Sequence, residues 1–133
     1  MAITLEEFGV LLQIQSQTFR LVRNMRNNSA GYITRANAGM NPVTLGTEMK
    51  ADATAFKVRF QQLTDIAARN QTTVSNALGF LGITLGAANT LKTNLMAICD
   101  HVLAATLTTA PQCIAEANQI LTDAPNYDGL WTE

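Results

Sequence analysis

Apolar residues recur every three or four positions along almost the whole chain. A backbone gathers such positions onto one face only by turning at about 3.6 residues per turn, so the spacing predicts helix after helix. The expected fold is all-α: a single domain, a four- to five-helix bundle with a long loop after the first helix and an extended C-terminal tail. At 133 residues the chain fits one domain. A chain of this size buries about two-thirds of its unfolded surface, so a core without metal or disulfides is feasible.

The first helix has a strong start. Thr4 is its cap, Glu7 the capping-box partner, and Ile3 and Phe8 stand at the staple positions. The helix is expected to run to about Asn27. Phe8, Leu12, Phe19 and Val22 form one stripe, and Leu11, Ile14, Leu21 and Met25 a second. Gln13, Gln17, Arg20, Asn24 and Asn27 lie between them. One stripe suffices in a small bundle. Two predict a helix that is central or shared with a partner. Arg23 and Arg26 fall in the expected last turns, where cations suit the helix dipole.

Residues Asn28 to Val43 break the pattern. Gly31, Gly39, Asn41 and Pro42 are loop signals, and Tyr32-Ile33-Thr34-Arg35 is short and strand-like. Structureless loops longer than about 12–15 residues are uncommon in compact domains. This one is read as a mobile or surface-packed loop, or as an arm docking on a neighbour as an added strand, with Tyr32, Ile33 and Arg35 as candidate interface residues. The second helix is expected from Thr44 or Thr47 to about Asn70. Its seam is Met49, Ala53, Phe56, Phe60, Leu63 and Ala67, a heptad rhythm. A short helix follows from Thr72 or Thr73 through Phe80, ended by Gly82. Thr84 then caps a helix to about Leu107 with the seam Ala88, Leu91, Leu95, Ile98 and Val102. The alternative is one kinked helix across Gly79, Gly82 and Gly86. The last helix starts near Thr109 to Pro111, carries Ile114, Ala117 and Leu121, and ends at Ala124-Pro125. In the tail, residues 124–133, Leu130 and Trp131 either fold back on the bundle or anchor in another subunit.

Charged residues make up only 14% of the chain, against about 25% in ordinary soluble domains, and Thr, Asn and Gln take their place. Such a surface loses little desolvation energy when a protein covers it, which favours an assembled state. The net charge of −1 gives no basic footprint, so no nucleic-acid partner is expected. Arg20, Arg23, Arg26 and Arg35 are read as solvated or capping residues, with a phosphate-contacting edge as the alternative. No apolar run of 18 residues predicts a membrane span, and the acidic opening does not resemble a signal peptide.

Chemistry is mostly absent. His101 is the single histidine and reads as a surface residue beside Asp100. In an antiparallel hairpin turning near Thr108, Cys99 and Cys113 are mismatched by roughly 5–7 Å along the axis. A disulfide needs its Cα atoms within about 7 Å overall, so both are expected as small buried apolar residues. Zinc ligands, Glu-x-x-His pairs and a Gly-rich phosphate loop are all missing, and Glu6-Glu7 is helix-start chemistry. No enzyme activity, cofactor, metal or small-molecule substrate is expected.

The opening Met1-Ala2-Ile3-Thr4-Leu5-Glu6-Glu7, the Ala/Thr/Asn-rich helical body, the Asn28–Val43 segment and the Leu130-Trp131 tail together resemble small helical virion proteins of tailed bacteriophages. These are neck, connector, tail or capsid-associated subunits. The resemblance implies a non-enzymatic structural subunit in a virion or host cytoplasm, with other copies or virion proteins as partners. It transfers no functional residue. The competing expectation is a monomeric helical binding module or chaperone that holds a partner helix or an apolar ligand between its seams.

Overall fold

The computed structural model describes residues 4–80 and 85–125. Five helices pack together, with no strand among the described residues: α1 (Leu5–Asn37), α2 (Pro42–Arg69), α3 (Gln71–Phe80), α4 (Leu85–Ala104) and α5 (Ala110–Asp123). The expectations for Ile3, Gly82, Thr84, Leu130 and Trp131 lie outside the described residues.

The capping box of α1 is formed. The Glu7 amide donates to Thr4 Oγ1 at 3.1 Å, and the Thr4 amide to Glu7 Oε1 at 3.4 Å. The helix does not stop at Asn27. It continues ten residues to Asn37, which corrects both the long loop and its strand-like stretch. The reason is a stripe that loop signals had masked: Val22, Met25, Ser29, Tyr32 and Ala36 step by three and four, and all are buried. Ser29 stays helical by donating its hydroxyl to the Met25 carbonyl at 2.8 Å. With 33 residues, α1 is about 50 Å long. Arg23 and Arg26 are therefore mid-helix, and Arg35 is the cation of the last turn.

The true connection is Ala38 to Asn41. Gly39 adopts φ +89°, and the Ala38, Gly39 and Met40 amides donate back into the last turn of α1. Asn41 and Pro42 are loop signals that prove to be helix starters. The Asn41 Oδ1 accepts from the Val43 amide at 2.9 Å, and Pro42 takes the first turn, where its missing N–H costs nothing. Thr109 and Gln112 form a second capping box, at the start of α5.

Pairwise ties set the directions. Tyr32 and Arg35 reach Asp52 and Glu48, so α1 and α2 run antiparallel. Lys50 donates to the Leu103 carbonyl at 3.2 Å and Lys57 pairs with Asp100 at 2.5 Å, so α2 and α4 are antiparallel too. Arg26 donates to the Leu121 and Ala124 carbonyls at 2.7 and 2.9 Å, capping the C-terminus of α5. Gly46 lets α2 meet the α4–α5 connection, since a Cβ there would stand 2.1 Å from the Leu107 carbonyl oxygen.

The seam of α2 is buried apart from Phe56, which is half-buried and stacks on Phe60. In α5 the buried stripe is Cys113, Glu116, Ala117 and Ile120, rotated slightly from Ile114, Ala117 and Leu121, whose outer two members are half-buried. The apolar interior has two parts. A main core joins the C-terminal half of α1 to α2, α4 and α5 around Phe60, Leu95 and Val102. A smaller cluster of Leu11, Ile14, Ala67, Val74 and Leu78 ties the N-terminal half of α1 to α3 and the end of α2.

Candidate functional site

Three features of the described residues can meet something outside the chain. The first is the outer face of α1 near its start. Leu5 is 89% exposed, Phe8 40% and Leu12 42%. At 100° per residue these three lie within about 60° of one another, on a face beside the buried Leu11–Ile14 stripe. The first-helix stripe read as Phe8, Leu12, Phe19 and Val22 is thus split. Val22 is fully buried, Phe19 half-buried, and Phe8 and Leu12 remain open. Val43 and Val58 are also exposed, on α2, one in its first turn and one mid-helix.

The second feature is a pair of clefts that meet at Lys92. One lies between α1, α3 and α4, holds about 200 Å³, and is walled by apolar groups that include Leu11, Ile14, Phe19, Val74 and Leu78. The other lies between α2 and α4, holds about 350 Å³, and carries the polar groups of Thr64, Gln71, Asn89 and Thr93. Lys92 lines both and is 7% exposed. It makes no hydrogen bond or ion pair with any described residue, yet no buried side-chain nitrogen or oxygen among them is sealed away without a partner. The stem of Lys92 is therefore buried while its ammonium opens onto the cleft space. Burial lowers its pKa from the ordinary lysine value, with no described carboxylate acting in the other direction.

The third feature is the pair His101–Glu116. Glu116 is 7% exposed, and its Oε1 meets the Nδ1 of the exposed His101 at 2.6 Å. The hydrogen bond and charge of Glu116 raise the His101 pKa. A histidine and a carboxylate need a nucleophile or a metal to do chemistry. Among the described residues no group of three His, Cys, Asp or Glu side chains could hold a metal ion. Cys99 and Cys113 are both free and buried, and burial pushes the Cys99 thiol up to about 11, far from a reactive thiolate.

The candidate interface residues Tyr32, Ile33 and Arg35 stand in the last turns of α1 rather than on an arm. Tyr32 is buried and its hydroxyl donates to the Asp52 carboxylate. One Arg35 guanidinium nitrogen donates to both Glu48 oxygens at 2.7 and 2.8 Å, and Ile33 packs partly buried against the main core. Their side chains tie α1 to its neighbours within the chain.

Sequence reasoning passed over Lys92 and Glu116, though each leaves a signal. Lys92 falls on the spacing Ala88, Lys92, Leu95, Cys99, a cation on a stripe of apolar residues. Glu116 sits three after Cys113 and four before Ile120, likewise on a buried stripe. No described helix is long and apolar enough to cross a membrane. No protein-family model, curated protein or solved structure matches this chain.

Proposed function

We propose that this protein is a non-catalytic structural subunit that assembles with further copies of itself through the N-terminal half of α1. The observation that carries the reading is the open Leu5–Phe8–Leu12 face. Three large apolar side chains on two helical turns form a contiguous patch, of the kind soluble monomers keep small. Gly9 and Ser16 flank this face while Glu6 and Glu7 of the first turn point away from it, so the face itself offers no charge pattern to select a differently charged partner. A neutral helix face of this kind pairs readily with its own image across a two-fold axis, the commonest symmetry of homo-oligomers. A net charge of −1 puts little repulsion between copies. The resemblance to helical virion proteins makes a bacteriophage particle, at its head, neck or tail, the setting in which such a subunit would serve.

Light scattering on size-exclusion fractions, across a wide concentration range, tests the reading. The wild-type chain is expected to elute as an oligomer, and Phe8→Glu with Leu12→Lys as a monomer of unchanged helicity. A wild-type chain that stays monomeric at every concentration would count decisively against it.

A further inference from the structure

The clefts at Lys92 adjoin the Leu5–Phe8–Leu12 face, with Phe19 of the apolar wall at an angle between Phe8 and Leu12, but they call for a different occupant. Most of the Lys92 side chain is buried while its ammonium opens onto both clefts, a cation set between an apolar wall and a polar one. Here no described carboxylate reaches it. Met or Leu would fill the space of the stem equally well, so an ammonium at the meeting of the two clefts, with no described carboxylate beside it, fits a negatively charged guest. On one side of the ammonium the wall is apolar, and on the other it carries the amides of Gln71 and Asn89.

We propose that this joint cleft binds a small amphiphilic carboxylate, with its alkyl chain between α1, α3 and α4 and its headgroup on the Lys92 ammonium. One cation matches one carboxylate charge. The site has no guanidinium fork of the kind that selects phosphate groups. Gln71 and Asn89 line the polar cleft with Lys92, and their amides would donate to the carboxylate oxygens that Lys92 leaves free. The apolar arm would take an alkyl chain, each buried methylene contributing about 0.8 kcal/mol. A flexible small molecule suits the site better than a partner surface, since the ammonium lies below the surface between helices. The combined space falls in the range of about 300–1,000 Å³ common for ligand pockets. A bound carboxylate also opposes the lowering of the Lys92 pKa by burial.

Isothermal titration of the full chain with decanoate, held below its micelle concentration, tests the proposal. Acetate supplies the headgroup without the tail, and decyltrimethylammonium the tail with the opposite charge. Saturable one-to-one binding is expected for decanoate alone. Lys92→Met should weaken it by about tenfold or more, the loss of one charge-assisted bond. Ala88→Phe should weaken it by filling the apolar arm without touching the ammonium. No saturable decanoate binding, equal binding of decyltrimethylammonium, or an unchanged affinity in Lys92→Met would each overturn the proposal. Self-association lost in Lys92→Met without decanoate binding would give the cleft to a second copy and overturn it equally. The comparison of headgroups uses the wild-type chain, so it decides the matter even if a variant misfolds.

Discussion

Tyr32 is held at both ends of its ring. The Arg35 guanidinium lies 5.4 Å from the ring centroid, and the hydroxyl donates to Asp52 on α2. Burial and the Asp52 carboxylate both raise the Tyr32 pKa well above the ordinary tyrosine value, so the phenol stays protonated and a donor throughout the working pH range. Tyr32→Phe keeps the packing and removes the donor. A hydrogen bond to a charged group contributes about 1.5–3 kcal/mol, and the variant should lose about that much stability in urea unfolding. A loss near zero would mean that Asp52 is satisfied by water instead. His101 makes a subtler contribution. Its pKa is raised above 6.5 in the fold, so the link to Glu116 stabilises fully below 6.5 and fades as pH rises through the raised value. His101 is exposed, so the effect is screened and small. The melting temperature of wild type minus that of His101→Gln should be positive at about pH 5.5 and shrink toward zero by about pH 9. A difference that stays constant between those two values would remove the pair from the account.

At the scale of elements, α1 shows what local signals can and cannot settle. Thr4 with Glu7 announced the start of α1, and Pro111 near Thr109 that of α5, because caps are chemistry between near neighbours. The seams of α2 and α4 were legible for the same reason: Met49 to Ala67 and Leu91 to Val102 repeat a simple rhythm. The stretch from Asn28 to Asn37 was not legible, because Gly31 and the β-branched Ile33 and Thr34 are weak helix formers. Tertiary packing overrides that weakness, since Ser29, Tyr32 and Ala36 are buried on one side. Lys92 and Glu116 were hidden in a different way. Charged residues read as solvent-facing unless the neighbouring helix is known, and only the packing of α3 and α5 shows otherwise. Gly31 offers a direct check of the extended α1. It is helical with negative φ, and a Cβ there would meet nothing within 4 Å. Gly31→Ala should therefore raise stability by about 0.5–1 kcal/mol, the ordinary gain for glycine inside a helix. A neutral or destabilising result would put the helix end back near Asn27.

Across the whole molecule, stability is unevenly placed. The main core draws on four helices and holds Phe60, Leu45, Leu95, Val22 and Val102 almost without exposure. Its helix ends are tied by Arg26 to α5 and by Lys50 to α4. The cluster at the other end is much smaller, resting on Leu11, Ile14, Ala67, Val74 and Leu78. It is flanked by the clefts at Lys92 and by the open Phe8 and Leu12. Fewer buried apolar groups mean a lower free energy of local opening, so this end should open without the rest. Amide hydrogen exchange under native conditions reads that difference. Amides of α3 and of α1 before Thr18 should exchange through a sub-global opening, with protection well below that of central α2, α4 and α5. The gap should widen in dilute protein and narrow where copies associate, because assembly through Leu5, Phe8 and Leu12 would cover the weaker end. Decanoate should narrow it independently, by binding only the closed form of the cleft. Uniform protection across all five helices would mean that the two clusters unfold as one unit. The proposed contacts of the weaker end would then have no local opening to suppress, and their effect would appear only in the global unfolding free energy.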